Sequence, residues 1–323
     1  MFDFSAQKSR SILFRNIRDF FDSRGYLEVF TPTLSDTLIP EPTIQNFKTD
    51  FINEFVGGKE LYLIPSPEIF MKTLLANGSG SIYEISQCFR NSEQLGDVHN
   101  PEFTMLEYYT VDFDEEDSIA LTEELIRETA LPETPEHVLP PFIRMSVNEA
   151  MKRYAGVDLE KCQNPALLRE KAERLGLYVP EHEAWDDTFN RIFINFVETN
   201  LPTDHPVVLT DYPYQIDCLA KRRKGTPYRQ RWEMYIAGCE VANCYAEETD
   251  KETTRLYYEK EYQRLVSERA DTGLPIPDIS TTFPELDIPP SSGVAIGLDR
   301  LLMVMLGKKE IAPLLLFPLS DMM

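Results

Sequence analysis

The stretch FRNSEQLGDVHNPEFTMLEYY, residues 89–109, decides the fold. A strand-like run ends at Arg90, a polar loop over 91–102 carries a His-Asn-Pro-Glu cluster, and a run rich in aromatic residues follows. Runs of this kind, separated by polar turn residues, are typical of paired strands. The stretch therefore predicts a β-hairpin whose two strands present side chains to a common face.

Alternation along the two strands predicts which side chains share that face, because successive residues of a strand point to opposite sides. We expect a mostly polar and accessible face with Arg90 projecting from it. Its mixture of charged, phenolic and phenyl groups indicates a binding site, and a half-buried amphipathic hairpin with incidental polar groups is the alternative. The residues on this face are Glu84, Ser86, Cys88 and Arg90 of the first run and Phe103, Met105, Glu107 and Tyr109 of the second.

A third strand-like run, GVAIGLDR at 293–300, has almost no side chains on one face. Gly293, Ala295 and Gly297 share that face, and Arg300 follows where a helix begins. Glycine within a strand often marks the close approach of a ligand or of another backbone, and helix N-termini attract anions. A smooth strand beside two arginines predicts a nucleotide pocket. Close packing of a helix is the alternative explanation for the small residues.

The run EVANCYAEETD at 240–250 contains two carboxylates, Glu240 and Glu247, seven residues apart. In a regular strand an odd separation sends them to opposite faces, so they can act together only if the chain bulges or turns near Asn243 and Cys244. With such a bulge they predict a Mg²⁺ site, because Mg²⁺ prefers one or two carboxylates together with phosphates and water. Without it they are two solvated glutamates in an acidic protein.

The remaining patterns predict an α+β domain. Apolar residues recur on one helical stripe over 9–24, YLEVF at 26–30 alternates as a strand, and charged helical patterns fill about 115–200. Further strands are predicted at PVVLTDYP and RWEMYIAGCEV, and helices at about 249–270 and at LDRLLMVML. The strands flank a helical insertion without regular βαβ alternation, which favours an antiparallel sheet flanked by helices in a single domain over 1–323.

Composition narrows the class of protein. With 323 residues and 42% hydrophobic content the chain can bury a substantial core. No segment resembles a signal peptide or a membrane span, and the five cysteines do not suggest a disulfide framework, so we expect a cytoplasmic protein. A net charge of −22 disfavours extended nucleic-acid binding. The basic segment KRRKGTPYRQR at 221–231 is either a solvated loop or a docking site for phosphates or an acidic partner.

Together, these segments resemble the three signature motifs of class II aminoacyl-tRNA synthetases, with the closest likeness to the lysyl subgroup. GYLEVFTPTL at 25–34 resembles motif 1, which helps build the dimer interface in that family. FRN followed by HNPEFTMLEYY resembles motif 2, and GVAIGLDR resembles motif 3. SPE at 66–68 resembles the substrate-binding segment before motif 2, and EVANCYAEETD resembles a lysyl-type segment. The likeness covers nearly the whole chain and implies the class II fold and a homodimer.

Within that family the chain resembles the elongation factor P (R)-β-lysine ligases, which are paralogues of the lysyl-tRNA synthetase catalytic core. Few residues precede the first predicted helix, so we expect no anticodon-binding domain and no tRNA partner. Ala295 stands where lysyl-tRNA synthetases typically have glycine, a substitution characteristic of the ligase branch. The resemblance implies an enzyme that uses ATP and Mg²⁺ to attach lysine or (R)-β-lysine to a lysine of elongation factor P. Residue types do not decide between the two donors.

The resemblance also implies roles for individual residues. Arg90 and Arg300 are the implied catalytic residues: Arg90 holds the α-phosphate and the substrate carboxylate, and Arg300 holds the far phosphate and stacks toward the adenine. Further implied ATP contacts are Asn91, Ser92, Glu93, His99, Asn100, Phe103, Glu240, Val241 and Gly297. Implied substrate contacts are Ser66, Pro67, Glu68, Tyr109, Asn243, Tyr245, Glu247 and Ala295, and the implied Mg²⁺ ligands are Glu240 and Glu247.

Two departures from the family pattern bear on activity. Family members usually read FRNE, whereas here Ser92 follows Asn91 and Glu93 comes one place later. Either Glu93 takes over the nucleotide contact or the contact is lost. Cys244 replaces a glycine, and we expect it to narrow the space beside Asn243. Both arginines are retained, which favours an active enzyme over a noncatalytic regulatory paralogue. An adenylating enzyme that transfers lysine to tRNA or to a small acceptor is the other alternative.

Overall fold

The computed structural model describes residues 4–92, 96–270, 272 and 274–322. Within this part of the chain, no helix is long and apolar enough to cross a membrane. The α-helices are α1 (Phe4–Ser23), α2 (Glu68–Ala76), α3 (Glu115–Thr129), α4 (Val147–Ala150), α5 (Pro165–Arg174), α6 (Trp185–Ile192), α7 (Lys251–Arg269) and α8 (Leu298–Met305). The strands are β1 (Leu27–Glu28), β2 (Leu34–Ser35), β3 (Lys48–Phe51), β4 (Lys59–Leu63), β5 (Ile82–Phe89), β6 (Glu102–Val111), β7 (Ile143–Ser146), β8 (Val207–Pro213), β9 (Tyr228–Ile236), β10 (Cys239–Ala246) and β11 (Ser291–Gly297).

The main sheet has the strand order β1-β5-β6-β11-β10-β9-β8-β7. Its interior pairs are antiparallel, and the two edge pairs, β1 with β5 and β7 with β8, are parallel. A small second sheet has the order β2-β4-β3. The predicted α+β architecture of an antiparallel sheet flanked by helices is confirmed, and the opening stretch forms the central hairpin β5–β6.

Helices α1, α3 and α8 cover one face of the main sheet. Their apolar residues form a common core with the inward-facing side chains of the central strands, among them Leu106, Tyr108, Trp232, Val294 and Ile296. Alternation therefore turns the other residues of β6, β10 and β11 to the opposite face. That opposite face carries the candidate site.

The predicted helical insertion at about 115–200 is only partly helical. Helix α3 belongs to the main core, and β7 extends the main sheet by pairing with β8. The part from β7 onwards packs with β8 and β9 in a separate apolar cluster, which includes Leu168, Phe189 and Ile192. The four-residue run at Ile143–Ser146 is too short for a clear alternation signal, which is why the sequence pattern did not reveal the edge strand.

Two predicted strands differ from the structure. YLEVF contributes only Leu27–Glu28 to β1, which pairs with a neighbour on one side. RWEMYIAGCEV is a hairpin rather than one strand, because Ala237 and Gly238 have φ angles of 52° and 80°. Consecutive left-handed residues are what a tight two-residue hairpin turn requires. The chain therefore reverses between β9 and β10.

Asp299 links three elements next to the central hairpin. Its Oδ1 accepts a hydrogen bond of 2.5 Å from Nη2 of Arg10 in α1, and its Oδ2 accepts one of 2.7 Å from the backbone N–H of Thr104 in β6. The Asp299 side chain is only 4% exposed. A buried carboxylate with two donors holds its partners firmly, so Asp299 fixes the start of α8 against α1 and β6.

Replacing Asp299 with alanine should lower the free energy of unfolding by about 3–5 kcal/mol, because the Arg10 guanidinium loses its partner. Denaturant unfolding would measure this change. Glu170 forms a comparable ion pair with Arg174 on the surface of α5, and Glu170→Ala should cost less than about 1 kcal/mol. Equal losses in the two variants would contradict a special role for the Asp299 contacts.

Candidate active site

Two adjoining cavities lie on the open face of the main sheet. The larger has a volume of about 320 Å³ and is called the arginine cavity, because Arg90 and Arg300 line it. The smaller has a volume of about 90 Å³ and is called the acidic cavity, because four glutamates line it. Both cavities are lined by Glu41, Arg90, Met105, Asn243 and Ala295. A molecule that fills both would therefore pass Arg90.

The two arginines are held in different ways. Arg300 donates from Nε to the carbonyl of Val98 at 3.1 Å and from Nη1 to the carbonyl of Glu240 at 2.9 Å. The Arg90 guanidinium lies 5.2 Å from the ring centre of Phe103, and no carboxylate among the described residues forms an ion pair with it. Arg300 is thus fixed by backbone contacts, whereas Arg90 keeps its charge available for an anion.

Most of the residues predicted to contact ATP line the arginine cavity. Asn91 and Ser92 do not. The backbone N–H of Asn91 donates to the carbonyl of Gln45 at 2.8 Å, and the hydroxyl of Ser92 donates to the Gln45 side chain at 2.6 Å. Their contacts anchor the start of the loop, and Glu93 lies outside the described residues. The predicted residues that line this cavity are Arg90, His99, Asn100, Phe103, Glu240, Val241, Gly297 and Arg300.

The glycines of β11 occur at their positions for two different reasons. A side chain at Gly293 would come within 2.5 Å of the Tyr109 ring and would also collide with Glu247. At Gly297 the nearest atom, Cδ of Arg300, is 3.8 Å away, so the protein itself leaves room for a side chain. Gly293 is therefore required by packing, and Gly297 keeps open the floor of the arginine cavity.

The acidic cavity is built around a buried lysine. Nζ of Lys72 lies 2.5 Å from Oε1 of Glu68 and 2.5 Å from Oε2 of Glu247. The remaining two acids are Glu107, which accepts a hydrogen bond of 2.5 Å from the Tyr109 hydroxyl, and Glu41. Ser66, Tyr109, Asn243, Tyr245 and Ala295 complete the predicted substrate contacts in this cavity, whereas Pro67 lines neither cavity and precedes α2.

Burial makes these carboxylates harder to ionise. It raises the pKa of Glu107 to about 8, with repulsion from Glu68 adding to the effect and the Tyr109 hydroxyl opposing it. The pKa of Glu247 rises to about 7 by burial, opposed by the Lys72 ammonium. In the arginine cavity, burial and the neighbouring Glu233 raise the pKa of Glu240 to about 7. Cations that bind here would stabilise the ionised forms.

The bulge required by the spacing of Glu240 and Glu247 is present, but not where the sequence suggested. The register shifts between Glu240 and Ala242, not near Asn243 and Cys244. This shift changes the alternation, so Glu240 lines the arginine cavity and Glu247 lines the acidic cavity. In the described part of the chain, no group of three or more acidic, histidine or cysteine side chains could hold a metal by itself.

Comparison with known proteins identifies the family. The family model for class II tRNA synthetases (D, K and N) matches residues 5–321. The chain belongs to this family. It is 35% identical over 310 residues to the elongation factor P (R)-β-lysine ligase of Proteus mirabilis, covering 94% of this chain and 91% of the ligase. Identity is also 35% to the Vibrio vulnificus ligase, over 96% of this chain and 94% of that protein.

A lysine–tRNA ligase of the same synthetase family is also similar. The protein from Carboxydothermus hydrogenoformans is 33% identical over 321 residues, which is 96% of this chain and 64% of that ligase. The chain thus spans most of the elongation factor P ligases and a little under two thirds of the tRNA ligase.

Two predictions about the surroundings of the class II site were wrong. Cys244 does not narrow the space beside Asn243, because alternation turns it into the core, where its Sγ lies 3.1 Å from the hydroxyl of Ser118. The polar face of β5 is not accessible, since Glu84, Ser86 and Cys88 are buried. The segment at 31–47 contributes to this burial, as shown by the Thr31 N–H that donates to Glu84 at 2.9 Å.

The basic segment at 221–231 is not a free basic loop. Arg223 pairs with Glu115 and Asp211, Arg229 pairs with Asp217, and Arg231 pairs with Glu233. These ion pairs neutralise much of its charge and fix β9 against neighbouring elements. The contribution of the segment is therefore mainly structural, and any docking role falls to its remaining cationic side chains, Lys221, Arg222 and Lys224.

Sequence reasoning assigned no role to four residues that build the class II site. Lys72 follows Glu68 by one helical turn, and that spacing was the available signal for an ion pair. Glu107 shares the strand face of Tyr109, so alternation pointed to it. Neither Glu41 nor Asp299 has a comparable signal, because each reaches its cavity through tertiary contacts.

Replacing Tyr109 with phenylalanine should raise the pKa of Glu107 above its value of about 8, because the hydroxyl stabilises the ionised carboxylate. Carboxyl-carbon NMR titration of glutamate-labelled protein would measure the shift, and Glu107→Gln would assign the signal. The exposed Tyr178 provides a control, since Tyr178→Phe should leave this titration unchanged. An unchanged or lower pKa in Tyr109→Phe would contradict the inferred hydrogen bond.

Proposed function

We propose that this chain is an ATP-dependent ligase that activates lysine or (R)-β-lysine as an aminoacyl-adenylate and transfers it to a lysine of elongation factor P. The observation that supports this proposal most strongly is that Arg90 lines both the arginine cavity, which contains a second arginine, and the acidic cavity, which is rich in carboxylates. This arrangement fits a phosphate on one side and an amine-bearing acid on the other. The names of the ligase relatives support the choice of acceptor and donor.

In the first step, a carboxylate oxygen of the amino acid attacks the α-phosphorus of ATP. A P–O bond forms, the bond from the α-phosphorus to the bridging oxygen breaks, and pyrophosphate leaves. Such a reaction depends mainly on alignment and charge stabilisation. Arg90 would hold the α-phosphate and the substrate carboxylate with its planar fork, and Arg300 would hold the far phosphate. Gly297 would let the nucleotide approach the sheet.

Mg²⁺ would accompany ATP in the arginine cavity. Glu240 is the carboxylate placed to hold the ion there, whereas the other predicted ligand, Glu247, lines the acidic cavity and pairs with Lys72. One or two carboxylates suit Mg²⁺ when phosphates and water supply the other ligands. A cation bound beside Glu240 would favour its ionised form, against the burial and the repulsion from Glu233 that raise its pKa. A metal ion held by Glu240 would supply positive charge to the phosphates.

The acidic cavity would select the donor. Its carboxylates suit ammonium groups, and substrates without a matching ammonium would leave buried negative charge uncompensated. Tyr109 and Tyr245 would supply walls for the aliphatic part of the donor. A diamino acid of the lysine type therefore fits better than a neutral amino acid.

In the second step, the neutral ε-amine of the acceptor lysine attacks the carbonyl carbon of the adenylate. A C–N bond forms, the C–O bond to the phosphate breaks, AMP leaves, and the amine loses a proton.

We further propose that the enzyme acts in the cytoplasm as a homodimer formed through the segment 25–34. The exposed apolar side chains of Leu27 and Phe30, at 55% and 80% exposure, support such an interface.

Mass spectrometry of elongation factor P after incubation with this chain, ATP, Mg²⁺ and each lysine isomer tests the proposal. We expect a mass increase of one lysyl residue with at least one isomer, dependent on ATP. Lysine tRNA is the competing acceptor to include, because lysine–tRNA ligases are similar over most of this chain. If tRNA is charged and elongation factor P is not modified, the proposed acceptor is wrong and tRNA is the acceptor.

Replacing Arg90 with alanine should reduce amino-acid-dependent ATP–pyrophosphate exchange by about 10²–10³-fold or more, because one charged donor to the reacting phosphate is lost. Arg90→Lys should also be impaired, since lysine lacks the planar fork. Arg174→Ala, on the surface of α5, is the control and should retain full exchange. Unchanged exchange by Arg90→Ala, with an unchanged unfolding midpoint, would contradict the assigned role.

A further inference from the structure

Glu41 occupies the border between the two cavities. It lies in the connection between β2 and β3 and lines both the arginine cavity and the acidic cavity. A turn fixes its backbone, because the carbonyl of Glu41 accepts a hydrogen bond of 3.1 Å from the N–H of Ile44. The turn is tied to α7, since the buried Arg269 donates to the carbonyl of Ile44 at 2.7 Å. Glu41 is therefore held in position before any ligand binds.

The four glutamates of the acidic cavity form two pairs, which differ in whether the carboxylates contact the Lys72 ammonium. The Lys72 ammonium contacts Glu68 and Glu247 and neutralises part of their charge. Among the described residues, Glu107 has only the Tyr109 hydroxyl as a hydrogen-bond partner. The Glu41 carboxylate has no hydrogen bond or ion pair with any described residue. Within the described part of the chain, Glu41 and Glu107 therefore form no ion pair, and each could accept one of the two ammonium groups of a diamino acid.

The positions of these two carboxylates give the donor a direction. Glu107 shares the acidic cavity with Tyr109 and Gly293 and does not line the arginine cavity, whereas Glu41 lines both. Arg90, the residue proposed to hold the donor carboxylate, also lines both. The ammonium group nearest the donor carboxylate would thus meet Glu41, and the distal ammonium would reach the acidic cavity.

We propose that the Glu41 carboxylate binds the ammonium group nearest the donor carboxylate and thereby makes the enzyme specific for diamino acids. This inference rests on the proposed function and adds a specificity-determining residue to it. Repulsion between Glu41 and neighbouring carboxylates supports the assignment. Burial, followed by repulsion from Glu68, raises the pKa of Glu41 to about 7 against the attraction of Arg90 and Lys72, and a bound ammonium would favour the ionised carboxylate.

The analogue ε-aminocaproate permits a direct test, because it keeps the distal amine and lacks the near amine of both lysine isomers. ATP–pyrophosphate exchange is measured with this analogue and with the active diamino acid for the natural chain, for Glu41→Gln, and for Glu54→Gln. Glu54 is an exposed glutamate of the β3–β4 connection and serves as the matched control. Unfolding midpoints show whether each variant is folded.

For the natural chain we expect roughly a 10- to 100-fold preference in kcat/KM for the diamino acid, the size of one charge-assisted contact. Glu41→Gln should abolish most of this preference by raising the KM for the diamino acid. Its KM for ATP and its exchange with the analogue should stay within about twofold of the natural values. Glu54→Gln should behave like the natural chain.

Two results would overturn the assignment of Glu41. One is full retention of the preference in Glu41→Gln. The other is an equal loss of exchange with both substrates, which would indicate a general defect. Failure of the natural chain to exchange with either diamino acid would instead reject the proposed function, and this inference with it. Calorimetric titration of the natural chain and of Glu41→Gln with the diamino acid, in the absence of ATP, compares their Kd values independently of turnover.

Discussion

The buried ammonium of Lys72 is the contact on which the site depends. An isolated charge is costly to bury, and it is tolerated here because two carboxylates lie 2.5 Å from it. One of them belongs to the same helix, and the other follows β10 of the main sheet. The ion triad therefore joins α2 to the sheet. It also sets the charge of the acidic cavity, because it neutralises part of the charge of Glu68 and Glu247, whereas Glu41 and Glu107 form no ion pair with any described residue.

The strand β11 imposes the second constraint. Its core face carries Val294 and Ile296, and its open face carries Gly293, Ala295 and Gly297. A shift of one residue in register would turn the bulky side chains into the cavities and leave a void in the core. Pairing with β6 and β10 on both sides fixes that register. The flat floor of the site thus follows from the same alternation that fills the hydrophobic core.

Local patterns were sufficient for the elements that carry the arginines. The hairpin, the small-residue strand and the helix after it depend on alternation and turn residues within short stretches, so Arg90 and Arg300 could be placed at one site from sequence. Features that depend on other parts of the chain were not predictable in this way. The bulge lies between Glu240 and Ala242 rather than near Asn243 and Cys244, so Cys244 keeps the regular alternation of β10 and points into the core.

Glu41 shows the limit of sequence reasoning most clearly. Its segment has neither helical nor strand periodicity, and its position is set by a turn held by Arg269 from α7. Contacts between segments so distant in sequence leave no local signature. The charge of a cavity is likewise a property of the assembled site, because it depends on which acids a lysine reaches. Residue types alone could therefore indicate an acidic pocket, but not which of its carboxylates were already paired.

The shared lining of the two cavities has a consequence for the proposed reaction. A triphosphate brings negative charge to Arg90 and Arg300, and a diamino acid brings net positive charge to the carboxylates beside them. Opposite charges in adjoining, partly buried cavities attract, so each ligand should strengthen binding of the other, and the coupling free energy must be equal in both directions. Arg90 and Glu41 lie where the two ligands would meet. The same border would then align the donor carboxylate with the α-phosphate, which links selection of the donor to the chemistry.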